Sequence, residues 1–156
     1  MDFDQAFERV IGHEGGYVND PRDPGGETRY GISRRAYPGE DIAGMTLGRA
    51  REIYRRDYWG PAGCEDLPDG LRLEVFDTAV NMGVGTSIKL LQRALGVPDD
   101  GVIGPVTRLR LQVADQARIL RRLQGARLDA YTRMQAWPTF GAGWVRRVAR
   151  NMLEVS

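Results

Sequence analysis

A mainly α-helical domain with one small β element is what the sequence predicts, and three observations lead there. Apolar residues recur at helical spacing in segment after segment, with Gly or Pro closing most of them. One stretch, Gly12 to Ser33, abandons that period for turn residues and a short alternating run. At 156 residues the chain is long enough for one real core, with two lobes that can flank a cleft.

Taken in order, residues 3–14 place Phe3, Phe7, Val10 and Ile11 on one helical face, with Asp2 as N-cap and Gly15-Gly16 as the stop. Glu14 then falls in the last turn, where the macrodipole disfavours negative charge and raises a carboxyl's hold on its proton. Thr28 to Ile32 alternates and reads as part of a small hairpin near residues 17–32. Ser33 is expected to cap a short helix ended by Pro38-Gly39. Thr46 is expected to cap a second, carrying Leu47, Ala50, Ile53, Tyr54 and Trp59. Breakers and acids concentrate in 60–70, so the boundary is set there: residues 1–66 as a catalytic part and 67–156 as a helical part, packed as one unit.

Leu71 to Met82 has the broad apolar face of a buried central helix, closed by Gly83. Ile88, Leu91 and Leu95 mark the next helix, and Pro105 suits the first position of another. A long amphipathic helix is expected around 119–134. A break at Pro138 then precedes a last helix built on Trp144, Val148 and Met152, with Trp144 and Phe140 in the core.

Composition narrows the function classes. No apolar run approaches the roughly 18–20 residues of a membrane helix, and the acidic N-terminus MDFDQAFERV is unlike a signal peptide. One cysteine, Cys64, excludes an internal disulfide, and one histidine, His13, leaves no His/Cys zinc cluster; no metal and no cofactor are expected. Residues 1–66 carry 9 basic and 13 acidic side chains, whereas 67–156 carry 13 and 8. The basic half suits an anionic polymer, but it lacks the aromatic interleaving of a nucleic-acid binder. No nucleic acid is expected as partner, and a monomer is.

The stretch 12–33 concentrates Glu14, Asp20, Asp23, Glu27 and Thr28 among turn-forming glycines and prolines. Two carboxylates at one cleft, one protonated and one ionised, are the machinery for cleaving a glycosidic bond. Eight residues separate Glu14 from Asp23, and turns at Pro21 and Pro24-Gly25 can bring the second back to face the first. Thr28 follows after four more and can hold the attacking water. This scheme requires no thiol, metal or cofactor.

The run HEGGYVNDPRDPGGETRYGIS (13–33), with AREIYRRDYW (50–59) and FDTAVNMGVGTSIKLLQRALGVPDDGVIGPVT (76–107), resembles the N-acetylmuramidases of glycoside hydrolase family 108 over nearly the whole chain. The resemblance implies a lysozyme-like fold, cleavage of the β-1,4 bond between N-acetylmuramic acid and N-acetylglucosamine in bacterial peptidoglycan, and Glu14 as the catalytic glutamate. In more distant phage-type lysozymes a Glu, Asp, Thr triad usually has five residues between Asp and Thr, where this chain has four. Asp20 therefore stays open as the second carboxylate beside Asp23, with Glu27 a remoter option. A carboxyl separation of about 6.5–9.5 Å would go with inversion of the anomer. Residues 74–153 resemble a peptidoglycan-binding region, and DGVIGPVT its turn; the same helices can equally just complete the core.

Tyr17, Asn19 and Tyr30 are candidates for stacking on sugars or bonding to them, or for packing as lids on the core. Asn81 is a candidate for the cleft, bonding an N-acetyl group, or for a C-cap; His13 is read as structural. Two rival activities stay open: a lytic transglycosylase, which needs one acid/base and no activated water, and a non-catalytic peptidoglycan-binding or regulatory protein. The expected itinerary is synthesis in the bacterial cytoplasm and action on the cell wall after release, as for a phage endolysin, without stable membrane insertion.

Overall fold

The computed structural model describes residues 1–12, 16–19 and 26–154. Helix α1 (Phe3–Ile11) begins with a reciprocal cap: Asp2 Oδ1 accepts from the Gln5 N–H at 2.9 Å, and Gln5 Oε1 accepts from the Asp2 N–H at 3.0 Å. It ends earlier than the apolar pattern predicts. Gly12, at φ 62, donates its N–H to Glu8 O at 3.2 Å and closes the helix. The helix expected over residues 3–14 thus runs only to Ile11, and Glu14 lies outside the described residues.

The β element is a two-stranded antiparallel hairpin of β1 (Thr28–Arg29) and β2 (Ile32–Ser33), paired Thr28 with Ser33 and Arg29 with Ile32. Val18 bridges to Thr28 through two backbone bonds of 2.8 Å, so the chain on either side of residues 19–27 is stitched together. The short helix expected after Ser33 is a turn. Ser33 Oγ accepts from the Ala36 N–H at 3.3 Å and Ser33 O from the Tyr37 N–H at 3.0 Å, a local closure that goes no further.

Helix α2 (Leu47–Tyr54) is capped by Thr46, whose Oγ1 accepts from the Arg49 N–H at 3.1 Å, and continues as a π-helical turn over Arg55–Trp59. A 3₁₀ turn (Cys64–Asp66) leads into α3 (Asp69–Met82). Then come α4 (Val84–Leu95), α5 (Pro105–Val113), α6 (Gln116–Thr132) and α7 (Trp137–Glu154). Pro138 does not precede the last helix but sits in its first turn, where a missing N–H costs nothing. The loop between α4 and α5 hangs on Gln92, which donates to Asp100 Oδ1 at 2.7 Å and Val102 O at 2.9 Å and accepts from the Gly101 N–H at 2.8 Å.

Helix α3 is the axle, packed against α1, the π turn, α4 and α6. One side carries an aromatic cluster in which Phe76 meets Trp59 at 5.3 Å and Phe3 at 5.9 Å, and Phe7 meets Tyr54 at 5.4 Å. Its members come from α1, α2, the π turn and α3, and one apolar core runs from Phe3 to Leu123. Phe140, expected in that core, is 56% exposed, and Met152 is also exposed; of the apolar stripe on α7 only Val148 is fully buried. Among the described residues no helix is long and apolar enough to cross a membrane.

Candidate active site

A cavity of about 330 Å³ opens where five parts of the fold meet. Val10 and Ile11 at the end of α1 form one wall, Tyr30 and Gly31 of the hairpin turn another, and Tyr54 lines it from α2. Val80 and Asn81 at the end of α3, with Arg147 of α7, complete it. Glu14 is the third residue after Ile11 in the chain.

The hairpin reaches this cavity by a two-residue turn with left-handed backbone at both positions, Tyr30 at φ 51 and Gly31 at φ 75. Such a turn matches the twist of the strands, but a tyrosine in that conformation is strained by about 1–2 kcal/mol. The surroundings hold it there. Tyr54 Oη donates to Tyr30 O at 3.0 Å, and the Arg29 guanidinium lies 5.5 Å from the Tyr30 ring centre. Gly31 is required twice over, because a Cβ there would sit 2.6 Å from Tyr54 Oη. Burial pushes the Tyr54 hydroxyl up to about 12, so it remains a donor at neutral pH.

The base of the hairpin is an ionic tie. Glu27 accepts from Arg34 Nη2 at 2.7 Å and Nε at 3.1 Å, and from Tyr17 Oη at 2.9 Å. The Arg34 hydrogen bonds, and then Tyr17, hold the Glu27 carboxyl below its ordinary range. It is therefore ionised and occupied, which removes it as a proton donor. Thr28 Oγ1 donates to Gly26 O at 3.3 Å, and Tyr17, half-exposed, has its hydroxyl on Glu27. Asn19 is exposed. Of the sequence candidates, Tyr30 and Asn81 share the cavity, while Tyr17, Asn19 and Thr28 do not line it. His13, Glu14, Asp20 and Asp23 lie outside the described residues.

Behind the Asn81 wall lies a buried polar network that sequence reasoning missed. Arg127 of α6 pairs with Glu74 Oε1 and Asp77 Oδ2, each at 2.7 Å, and Arg147 reaches Asp77 Oδ1 with Nε and Nη2, both at 2.6 Å. Asn151 donates to Asp77 Oδ2 at 3.1 Å, and Arg127 Nε donates to Tyr131 Oη at 2.7 Å. Tyr131 Oη in turn donates to Asn81 Oδ1 at 2.5 Å. Burial works against the Arg127 charge, but Asp77 and Glu74 more than offset it and hold the guanidinium above its ordinary value. Burial likewise raises the Tyr131 hydroxyl. A signal was legible: Glu74, Asp77 and Asn81 recur at i, i+3 and i+7, a polar stripe inside an apolar helix.

A second cavity of about 320 Å³ lies between Leu67-Pro68 and α5, lined by Ile103, Arg108 and Leu111 but by none of the sequence candidates. Cys64 is fully buried and its thiol is pushed up to about 12 by burial, so it is no nucleophile. Among the described residues no group of three or more His, Cys, Asp or Glu is placed to hold a metal ion.

The family model described as glycosyl hydrolase 108 matches residues 7–83, which include the hairpin, the end of α1 and all of α3. The solved structure of Brucella abortus SagA superimposes with a TM-score of 0.88 at 35% identity, over 98% of this chain and 92% of that one. No curated protein matches the chain.

Proposed function

The chain belongs to the glycosyl hydrolase 108 family, and from that premise we propose that it is an N-acetylmuramidase, cleaving the β-1,4 bond between N-acetylmuramic acid and N-acetylglucosamine in peptidoglycan. One observation carries the reading. The cavity between hairpin and helices has the end of α1 in its wall, and the chain runs from there into the Glu14 motif within three residues. In this scheme Glu14 protonates the leaving oxygen, Asp23 activates water or stabilises the cationic transition state, and Thr28 positions the water. Tyr30 and Asn81 contact the sugars. The ionised Glu27, closing the hairpin on Arg34 and Tyr17, supports the rim rather than the chemistry.

The test is digestion of purified peptidoglycan by the parent protein and by Glu14→Gln, with the released fragments reduced and identified by mass spectrometry. The parent is expected to release reducing-end muramic acid, and the variant to lose at least about 100-fold, the lower range for a general acid. Anhydro-sugar ends would make the reaction a transglycosylation. Undiminished release by the variant would remove Glu14 from the mechanism.

A further inference from the structure

The first two turns of α7 present aromatic rings to solvent. At about 100° per residue, Trp137, Phe140, Trp144 and Arg147 fall within roughly 80° of one another around the helix. Along that face exposure rises from Asn151, at 8%, through part-buried Arg147 and Trp144 to Phe140, at 56%. The rings are stacked. Trp144 lies on Tyr131 at 5.0 Å and 30°, and Phe140 lies on Trp144 at 6.1 Å and 28°. Tyr131 is fully buried and fixes the inner end through its hydroxyl bond to Asn81 in the cavity wall. Trp137 lies against Gly141, where a Cβ would come within 2.5 Å of its ring, so a glycine at this position lets the indole hug the helix. Phe140 is the outermost ring of the stack.

A second copy of the chain is a poor fit for this strip. A stable interface takes about 800 Å² from each partner, whereas three rings of about 150–250 Å² each, all partly covered, present much less. Val145, Met152 and Leu153, the other large apolar side chains exposed on α7, point more than about 100° away from Phe140 around the helix and do not extend it. A sugar needs less area. Its ring offers a face of weakly positive C–H bonds that matches the negative face of an aromatic ring, while its hydroxyls stay in water. The strip also leads out of the cavity: Arg147 lines that cavity, and Phe140 stands about 10 Å from it along the helix axis, further than one sugar reaches. We infer that Phe140, backed by Trp144, is a platform outside the cavity on which the glycan strand rests, and that it sets a preference for long glycans over short ones. The inference rests on the glycan reading above and adds which part of the polymer is held, and by which ring.

The experiment is calorimetric titration with peptide-free peptidoglycan glycans, a tetrasaccharide and an octasaccharide, in the Glu14→Gln background so that no glycan is consumed. With Phe140 in place, the octasaccharide is expected to bind about 3–10-fold tighter than its extra binding registers alone explain, the factor one ring face contributes. Phe140→Ala should bind the tetrasaccharide unchanged and lose that gain. Phe140→Tyr should restore it, whereas Phe140→Leu, which keeps apolar bulk without a ring face, should not. Phe140 is mostly exposed, so these variants are expected to fold, and the ratio between the two glycans is the readout because a general structural loss moves both together. An undiminished ratio in Phe140→Ala overturns the proposal, as does a full gain in Phe140→Leu or no binding of either glycan. So does sedimentation that shows a dimer dissolved by Phe140→Ala, which would give the face to a second copy. With Glu14 intact, product release tests the hydrolase reading separately. A Phe140-dependent gain without cleavage leaves the platform standing and removes the activity; cleavage with the same length dependence in Phe140→Ala keeps the activity and overturns the platform.

Discussion

The two sides of α3 are built on opposite principles. On one side Phe76 meets Phe3 and Trp59 edge to face, contacts between rings that carry no charge. On the other, Glu74 and Asp77 are 2% exposed and tied to Arg127, Arg147, Gln124 and Asn151 by bonds of defined partner and direction. Apolar burial stabilises by area and tolerates small shifts, whereas a buried ion pair barely offsets its own desolvation. What the polar side provides is orientation. Its last two members, Asn81 and Arg147, are the ones that emerge in the cavity.

The contrast makes a sharp prediction about rescue. Phe76→Ala and Arg127→Met are each expected to cost about 3–5 kcal/mol in denaturant unfolding, the first by a cavity and the second by leaving buried Glu74 without a cation and Asp77 with Arg147 alone. Only the second should be rescuable by further removal. Adding Glu74→Leu and Asp77→Leu to Arg127→Met should recover part of the stability, because both buried carboxylates go, while Gln124, Asn151 and the part-exposed Arg147 lose their acceptors. A triple variant that stays destabilised would show the polar side to be a source of stability as well, and the contrast would break.

A smaller effect probes where the hairpin stands between these extremes. Gly31→Ala must place a Cβ at φ 75 and 2.6 Å from Tyr54 Oη, and should cost about 1–2 kcal/mol for the left-handed backbone plus whatever moving Tyr54 requires. Adding Tyr54→Phe should return the second part only, measured by the same unfolding titration. Full recovery would mean that the contact, and not the backbone, sets the requirement for glycine.

Much of this architecture is written locally. Thr46, Gly83 and Pro105 mark element ends that the structure keeps, and the alternation Thr28 to Ile32 pointed to the hairpin. Misreadings arose where one local signal overrode another. Gly12 closes α1 before Gly15-Gly16 can, Ser33 starts a turn instead of a helix, and Pro138 opens α7 instead of breaking the chain. Phe140 was placed in the core by its character alone, yet its helix turns it outward. The candidate site divides the same way. Tyr30 and Asn81 were legible from their positions beside turns, but their meeting in one cavity depends on α1, α2 and α7 arriving together. Arg147 stands 70 residues from the Asp77 it pairs with. No local pattern distinguishes it from Arg146 or Arg150 on the same helix.

The least costly change expected to be visible lies at the hairpin base, where charge does what shape does on the aromatic side of α3. Glu27 has an ordinary value of 4.5 that Arg34 and Tyr17 lower in the folded protein. A carboxyl lowered on folding contributes stability that is fully present above its unfolded value and disappears as pH falls through the folded one. The thermal midpoint of the parent should therefore decline as pH drops below about 4.5 with a component that Glu27→Gln lacks, while the two proteins run parallel from pH 6 to 8. The group is accessible to solvent, so the difference should shrink in 0.5 M salt. A difference that persists unchanged in salt, or that appears at alkaline pH, would mean that Glu27 acts through packing of the Tyr17 ring and not through its pair with Arg34.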